Sequence, residues 1–255
     1  MQKTYRWAQV TIMLAFGLYL AERIWSGAVF FYINERFLPL IAFGAVGALV
    51  LAGGALVAAR QKDDAEHHHD EHNHNHDHDH THAPQRFPLG TVLLVALPIL
   101  LGVLIPARPL GATAIDQKGL NVTGPLTVSG GAAAKLEIAP ENRTILDWMR
   151  AFNYAADPST FTNQPANVVG FVYRPDQLTG TQFLVSRFVV TCCAADGSAV
   201  GLLVEWPQAI NLEENGWVRV RGPVSVGTLD GKPIPLITAA SIESVPQPDQ
   251  PYMYP

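Results

Sequence analysis

The stretch FLPLIAFGAVGALVLAGGALVAA, Phe37–Ala59, runs for twenty-three residues without a charged side chain. That is long enough to cross a hydrocarbon core of about 30 Å with some tilt. Working outward, residues 1–59 carry six charged side chains in all: Lys3, Arg6, Glu22, Arg23, Glu35 and Arg36. Upstream, Trp7–Ala21 is apolar but short, and Glu22-Arg23 interrupts it before a second apolar patch at Ile24–Ile33. A first helix from about Tyr5 to Glu22, then an interfacial turn at Ser26-Gly27, fits this pattern. The alternative is one helix continuing to Ile33. It would carry Glu22 and Arg23 into the membrane, where they would need partners and would become functional candidates. Lys3 and Arg6 give a positive start, but no small-x-small cleavage site follows the apolar run, so a cleaved signal peptide is not expected.

Downstream, Leu89–Ile105 is an uncharged run closed by Pro88 and Pro106, and it reads as a further span. The expected fold class is therefore a membrane α-helical N-terminal part with three predicted spans, followed by a C-terminal mainly-β domain. The expected boundaries are two transmembrane helices in 1–59, a His/Asp-rich loop in 60–86, a third transmembrane helix in 87–107, and a β-rich domain in 108–255. Lys3 and Arg6 precede the first span, and Arg60, Lys62 and Arg86 flank the loop. The positive-inside rule puts both groups in the cytoplasm, which makes the loop cytoplasmic and residues 108–255 extracytoplasmic.

All nine histidines of the chain lie in the run HHHDEHNHNHDHDHTH: His67, His68, His69, His72, His74, His76, His78, His80 and His82. Imidazole, neutral near pH 7, is the commonest protein ligand for zinc, copper and nickel. A segment this polar cannot bury a core and is expected to be disordered without metal. Asp70, Glu71, Asp77 and Asp79 attract cations and add oxygen donors. The loop suits collection, buffering or sensing of zinc or another divalent transition metal better than catalysis, which needs a few rigidly placed ligands and an open position. A solvated linker that binds metal incidentally is the plain alternative, and a pH-sensing segment a third. The formal charge of −5 arises largely here, where seven acids outweigh three bases between Arg60 and Arg86. No basic patch points to nucleic acid, and no phosphate-binding glycine loop is visible.

Residues 108–255 hold five β-type runs punctuated by glycine and proline: Asn167–Tyr173, Gln182–Cys192, Ala199–Trp206, Trp217–Val226 and Ile234–Val245. One short helix fits Asn142–Phe152, with Asn142 or Thr144 near its start. Five mostly antiparallel strands suggest an OB-like barrel or a small sandwich. Cys192 and Cys193 are adjacent at the end of the second run. Strand geometry turns neighbours to opposite faces, so one thiol is expected in the core and the other outside. Two small core residues is the bland reading; a thiolate metal site or redox pair, with Asp196 nearby, is the functional one. Two thiols rarely complete a tetrahedral site, so further ligands would be required. The three-span topology would put the histidine loop across the bilayer from them.

With these residues in view, the chain resembles the YcgQ-like family of bacterial membrane proteins, described as permease subunits with a C-terminal domain of unknown function. The resemblance covers nearly the whole chain. It rests on Tyr32-Ile33-Asn34, the His/Asp-rich loop, GFVYR at Gly170–Arg174, RFVVTCCAAD at Arg187–Asp196, GLLVEW at Gly201–Trp206 and PYMYP at Pro251–Pro255. It implies pairing with a separate multi-spanning permease subunit and a link to metal homeostasis. Together with the apolar spans, the expectation is a multi-pass protein of the bacterial cytoplasmic (inner) membrane, with a metal chaperone as a further partner. The resemblance carries no catalytic residues over. The expectation is an accessory permease subunit that is not an enzyme and handles zinc-like cations through the loop. The alternative is a membrane-anchored thiol protein, or an envelope binding module acting through the β domain.

Overall fold

The computed structural model describes residues 2–66, 89–121 and 138–255. The chain divides into two compact units, one of Met1–Val29 with Glu35–Ala107, the other of Phe30–Asn34 with Arg108–Pro255. The histidine run, 67–82, lies outside the described residues.

The first unit is helical, with α1 at Gln2–Trp25, α2 at Leu38–Glu66 and α3 at Leu89–Leu104. Close packing of α1 on α2 depends on Gly17, where a Cβ would meet Leu49 Cδ2 at 2.7 Å. Arg23, near the end of α1, donates from Nη2 to the Gly102 carbonyl of α3 at 2.9 Å and pairs with Glu22 at 3.1 Å. The three spans expected from the sequence are corrected here. Among the described residues, one helical stretch, Glu35–Ala58, is long and apolar enough to cross a membrane. α1 is continuous but carries Lys3, Arg6, Glu22 and Arg23 towards its two ends, and α3 has sixteen residues. At 1.5 Å per residue α3 reaches about 24 Å, short of a core of about 30 Å. The sidedness of the loop and of residues 108–255 was read from three crossings and does not follow from one.

The second unit builds a sheet from β1 (Pro165–Tyr173), β2 (Gln182–Val189), β3 (Ser198–Glu205), β4 (Trp217–Leu229), β5 (Lys232–Thr238) and β6 (Ser241–Ser244), with short helices α4 (Ala112–Lys118) and α5 (Ile145–Tyr154). The order is β1-β2-β3-β5-β4-β6, and β1 also pairs β4. The expected OB-like barrel or sandwich of five mostly antiparallel strands is replaced by a mixed sheet of six. Its parallel pairing joins Leu203–Glu205 of β3 to Leu236–Thr238 of β5. The last run read from sequence splits, because the chain breaks at Ala239-Ala240 before β6 pairs back on β4.

β4 explains much of this arrangement. Its first half pairs β1 and β6, and its second half, Val224–Leu229, pairs β5. Gly222 sits at the changeover, where a Cβ would run into the Thr238 carbonyl. The central strands β2 and β3 are buried over nearly their whole length, which is why they read as unbroken apolar runs.

α5 falls close to the expected Asn142–Phe152, and its start is fixed by a capping box. Thr144 Oγ1 accepts from the Asp147 amide at 3.2 Å, while Asp147 Oδ2 accepts from the Thr144 amide at 3.0 Å. The helix then buries Ile145, Leu146, Trp148, Met149 and Phe152 in the main core with Val168, Phe183, Leu202 and Val220. Phe161 stacks on Phe152 at 5.3 Å and meets Trp148 edge-on at 6.1 Å. The Arg143 guanidinium lies 4.8 Å over the Trp148 ring and donates from Nη1 to Gln164.

Candidate functional site

β2 ends at Val189, so the two cysteines lie beyond the strand, in a turn rather than on its pleat. This overturns the expectation that one of them enters the core. Cys192 is exposed and Cys193 half-buried, and no disulfide joins them. The turn is organised by Asp196. Its Oδ1 accepts from the Thr191 amide at 3.1 Å, and its Oδ2 accepts from the amides of Cys192 at 2.7 Å and Cys193 at 3.4 Å. Cys193 caps a short 3-10 turn, Ala194–Asp196, its sulfur accepting the Asp196 amide. From the other side Lys118, at the end of α4, donates its ammonium to the carbonyls of Ala194 and Ala195 at 3.0 Å each and of Gly197 at 3.4 Å. A carboxylate gathers the amides of this turn and an ammonium gathers its carbonyls.

A segment distant in sequence closes the arrangement. Ile33 bridges Cys193 in antiparallel fashion. The Asn34 amide donates to the Cys192 carbonyl at 3.0 Å, its side-chain Nδ2 donates to the Thr191 carbonyl at 3.0 Å, and the Ala194 amide donates to the Tyr32 carbonyl at 2.8 Å. Asn34 is 3% exposed, a buried amide whose polarity is met by these backbone partners.

The C-terminal tail supports the same end of β2. Met253 donates its amide to Phe188 and accepts from the Val190 amide, at 2.8 and 2.9 Å. Arg187 reaches the tail carbonyls, with Nε on Pro251 at 3.1 Å and Nη2 on Gln250 at 2.5 Å, while its guanidinium lies 5.5 Å over the Trp217 ring. Burial lowers the Arg187 pKa from its ordinary value. The Tyr252 hydroxyl accepts from the Leu110 amide and donates to the Phe31 carbonyl, both at 2.9 Å. Its pKa is pushed up, first by burial.

Two thiols and one carboxylate therefore converge on an exposed turn, with Cys192 Sγ, Cys193 Sγ and an Asp196 oxygen all within 4.8 Å of one another. Donors of this kind suit a borderline or soft cation. The cysteines were singled out by sequence, and Asp196 was noted beside them; the structure brings all three together. The nine histidines, from His67 to His82, lie outside the described residues. Sequence reasoning gave no structural role to Asn34, Lys118, Arg187 or Tyr252. Three of these four lie in segments that carried the family resemblance, Tyr32-Ile33-Asn34, RFVVTCCAAD and PYMYP. Lys118 gave no signal of its own.

Comparison with known proteins gives relatives of the same description. "UPF0703 protein YcgQ" of Bacillus subtilis is 26% identical over 125 residues, covering 48% of this chain and 43% of that protein. The "Putative two-component membrane permease complex subunit" of Streptococcus mutans is 24% identical over 202 residues, covering 64% of this chain and 72% of that one. The chain thus spans less than half the length of the Bacillus relative. No solved structure matches it. The DUF1980 N-terminal domain matches residues 8–121, and the DUF1980 C-terminal domain matches residues 128–255, a region containing the whole sheet and the cysteine turn. With half of its length in the second match alone, the chain belongs to the DUF1980 family, the group of YcgQ-like proteins.

Proposed function

We propose that this chain is a membrane-associated accessory subunit of a permease complex, and that the complex handles a zinc-like divalent cation. The observation that carries the membrane half of this reading is the surface of α2. Leu40, Phe43, Val50 and Leu51 are each more than 60% exposed along the part of this helix that precedes Arg60 and carries no charge. Apolar area of this extent on a single element calls for lipid or another membrane helix as its cover. The streptococcal relative's name supports the permease partnership. On this reading a separate multi-spanning subunit supplies the translocation path, because the described helices of this chain carry few charged groups to line one.

The metal half rests on the histidine run as a sequence, with nine imidazoles among carboxylates. Such a loop would gather several ions with fast exchange and deliver them locally. No catalytic step is assigned to the chain. In mild detergent the full-length protein should migrate in a complex with a multi-spanning membrane protein, and deleting 60–86 should reduce the cell's tolerance to zinc excess or depletion. Migration alone would overturn the partnership, and unchanged tolerance would remove the loop from the reading.

A further inference from the structure

We infer that the Thr191–Gly197 turn is a transition-metal site in its own right, with the Cys192 and Cys193 sulfurs and the Asp196 carboxylate as three protein ligands and a fourth position open to an incoming group. Donor chemistry sets the class of ion. Two thiolates and one carboxylate match zinc and similar ions, whereas calcium and magnesium take all-oxygen shells. A tetrahedral ion with Zn–S bonds of about 2.3 Å needs its sulfurs about 3.8 Å apart. The three donor atoms already lie within 4.8 Å, so side-chain rotation alone can close the shell.

The backbone under these ligands is built before any ion arrives. Asn34 holds the Thr191 and Cys192 carbonyls, Tyr32 holds the Ala194 amide, and Lys118 holds the carbonyls of Ala194, Ala195 and Gly197. Ordering entropy, the main cost of assembling ligands on a loop, is therefore largely met by the fold. Asp196 keeps capacity for metal, since a carboxylate offers about four lone-pair positions and three amides occupy three of them. An Asp that merely capped the turn would account for those amides. It would not account for an exposed thiol and a half-buried one gathered within 4.8 Å of that carboxylate.

A bridge between the two sulfurs is a poor alternative use. Adjacent α-carbons stand about 3.8 Å apart across a trans peptide, below the usual disulfide range of about 4.4–6.8 Å. Cys192 and Asp196 are exposed, so the fourth position faces outward, where water or a donor from another molecule can enter. An open position is the mark of an exchanging site rather than a closed structural one.

The site does not depend on the permease reading, and its test separates the two. Cobalt(II) titrated into the full-length chain in detergent reports sulfur ligation through a thiolate-to-cobalt charge-transfer band, which imidazoles of the histidine run do not produce. The expected result is one cobalt per chain with that band, displaced by zinc and not by magnesium. Cys192→Ser and Cys193→Ser should each abolish the band with the near-ultraviolet dichroism of the fold retained. Asp196→Asn should weaken binding, read as a cobalt titration shifted to higher concentration. A missing band at saturating cobalt would overturn the proposal, as would a band that survives either serine substitution.

Discussion

Asp196 collects three successive backbone amides, those of Thr191, Cys192 and Cys193, on one carboxylate. Its place four residues after Cys192 was visible, but the work it does depends on Thr191, Cys192 and Cys193 presenting their amides to one carboxylate. The cysteines themselves were legible as a candidate pair. Their orientation was not, because the apolar run RFVVTC continues past the last residue that pairs in β2. Tyr173 carries a prediction of its own. Burial, then a 2.9 Å hydrogen bond to Asp116, pushes its pKa up to about 12, above the ordinary value of 10. The folded state thus holds this proton more tightly than the unfolded chain does. The associated stability is present below pH 10 and is lost as pH rises towards 12. Denaturant melts across that range should show stability falling in the native chain and a shallower fall in Tyr173→Phe. Equal slopes would contradict the assignment.

At the scale of elements, α5 was the most readable piece. Its apolar spacing and the Thr144–Asp147 capping box are local features, and local features survive into the fold. The sheet was readable in its strands but not in its order. Four of the five expected runs each supply a single strand, while the fifth divides at Ala239-Ala240 into β5 and β6. The parallel contact of β3 with β5 joins residues more than thirty positions apart in the chain, a pairing that no local pattern announces. α3 failed as a span for a plain reason of length, since its described helix, Leu89–Leu104, has sixteen residues. Gly170 offers a direct check on the register of β1 against β2. A Cβ there would approach the Ser186 carbonyl at 2.6 Å and Ile145 Cδ1 at 2.9 Å. Gly170→Val should therefore destabilise the second unit by about 1–3 kcal/mol, the usual cost of overpacking, read as a lowered midpoint in urea. An unchanged midpoint would mean that the strands do not meet this closely.

For the whole molecule, the sequence segments that carried the family resemblance acquire a common physical reason. Tyr32-Ile33-Asn34, the Cys-Cys-Ala-Ala-Asp turn and the terminal PYMYP are far apart in the chain, yet all three belong to the second unit and are joined by hydrogen bonds around the end of β2. Sequence alone could mark them as characteristic but could not bring them together, because Asn34 meets a carbonyl 157 positions away and Arg187 meets Pro251 64 positions away. At this junction sits the thiol pair proposed to bind metal. The most direct measurement is the rate at which a maleimide modifies Cys192 and Cys193 in the intact chain, in membranes, with zinc or magnesium present. Zinc should slow modification of both thiols at least ten-fold while magnesium leaves the rate unchanged; equal rates with and without zinc would contradict the account.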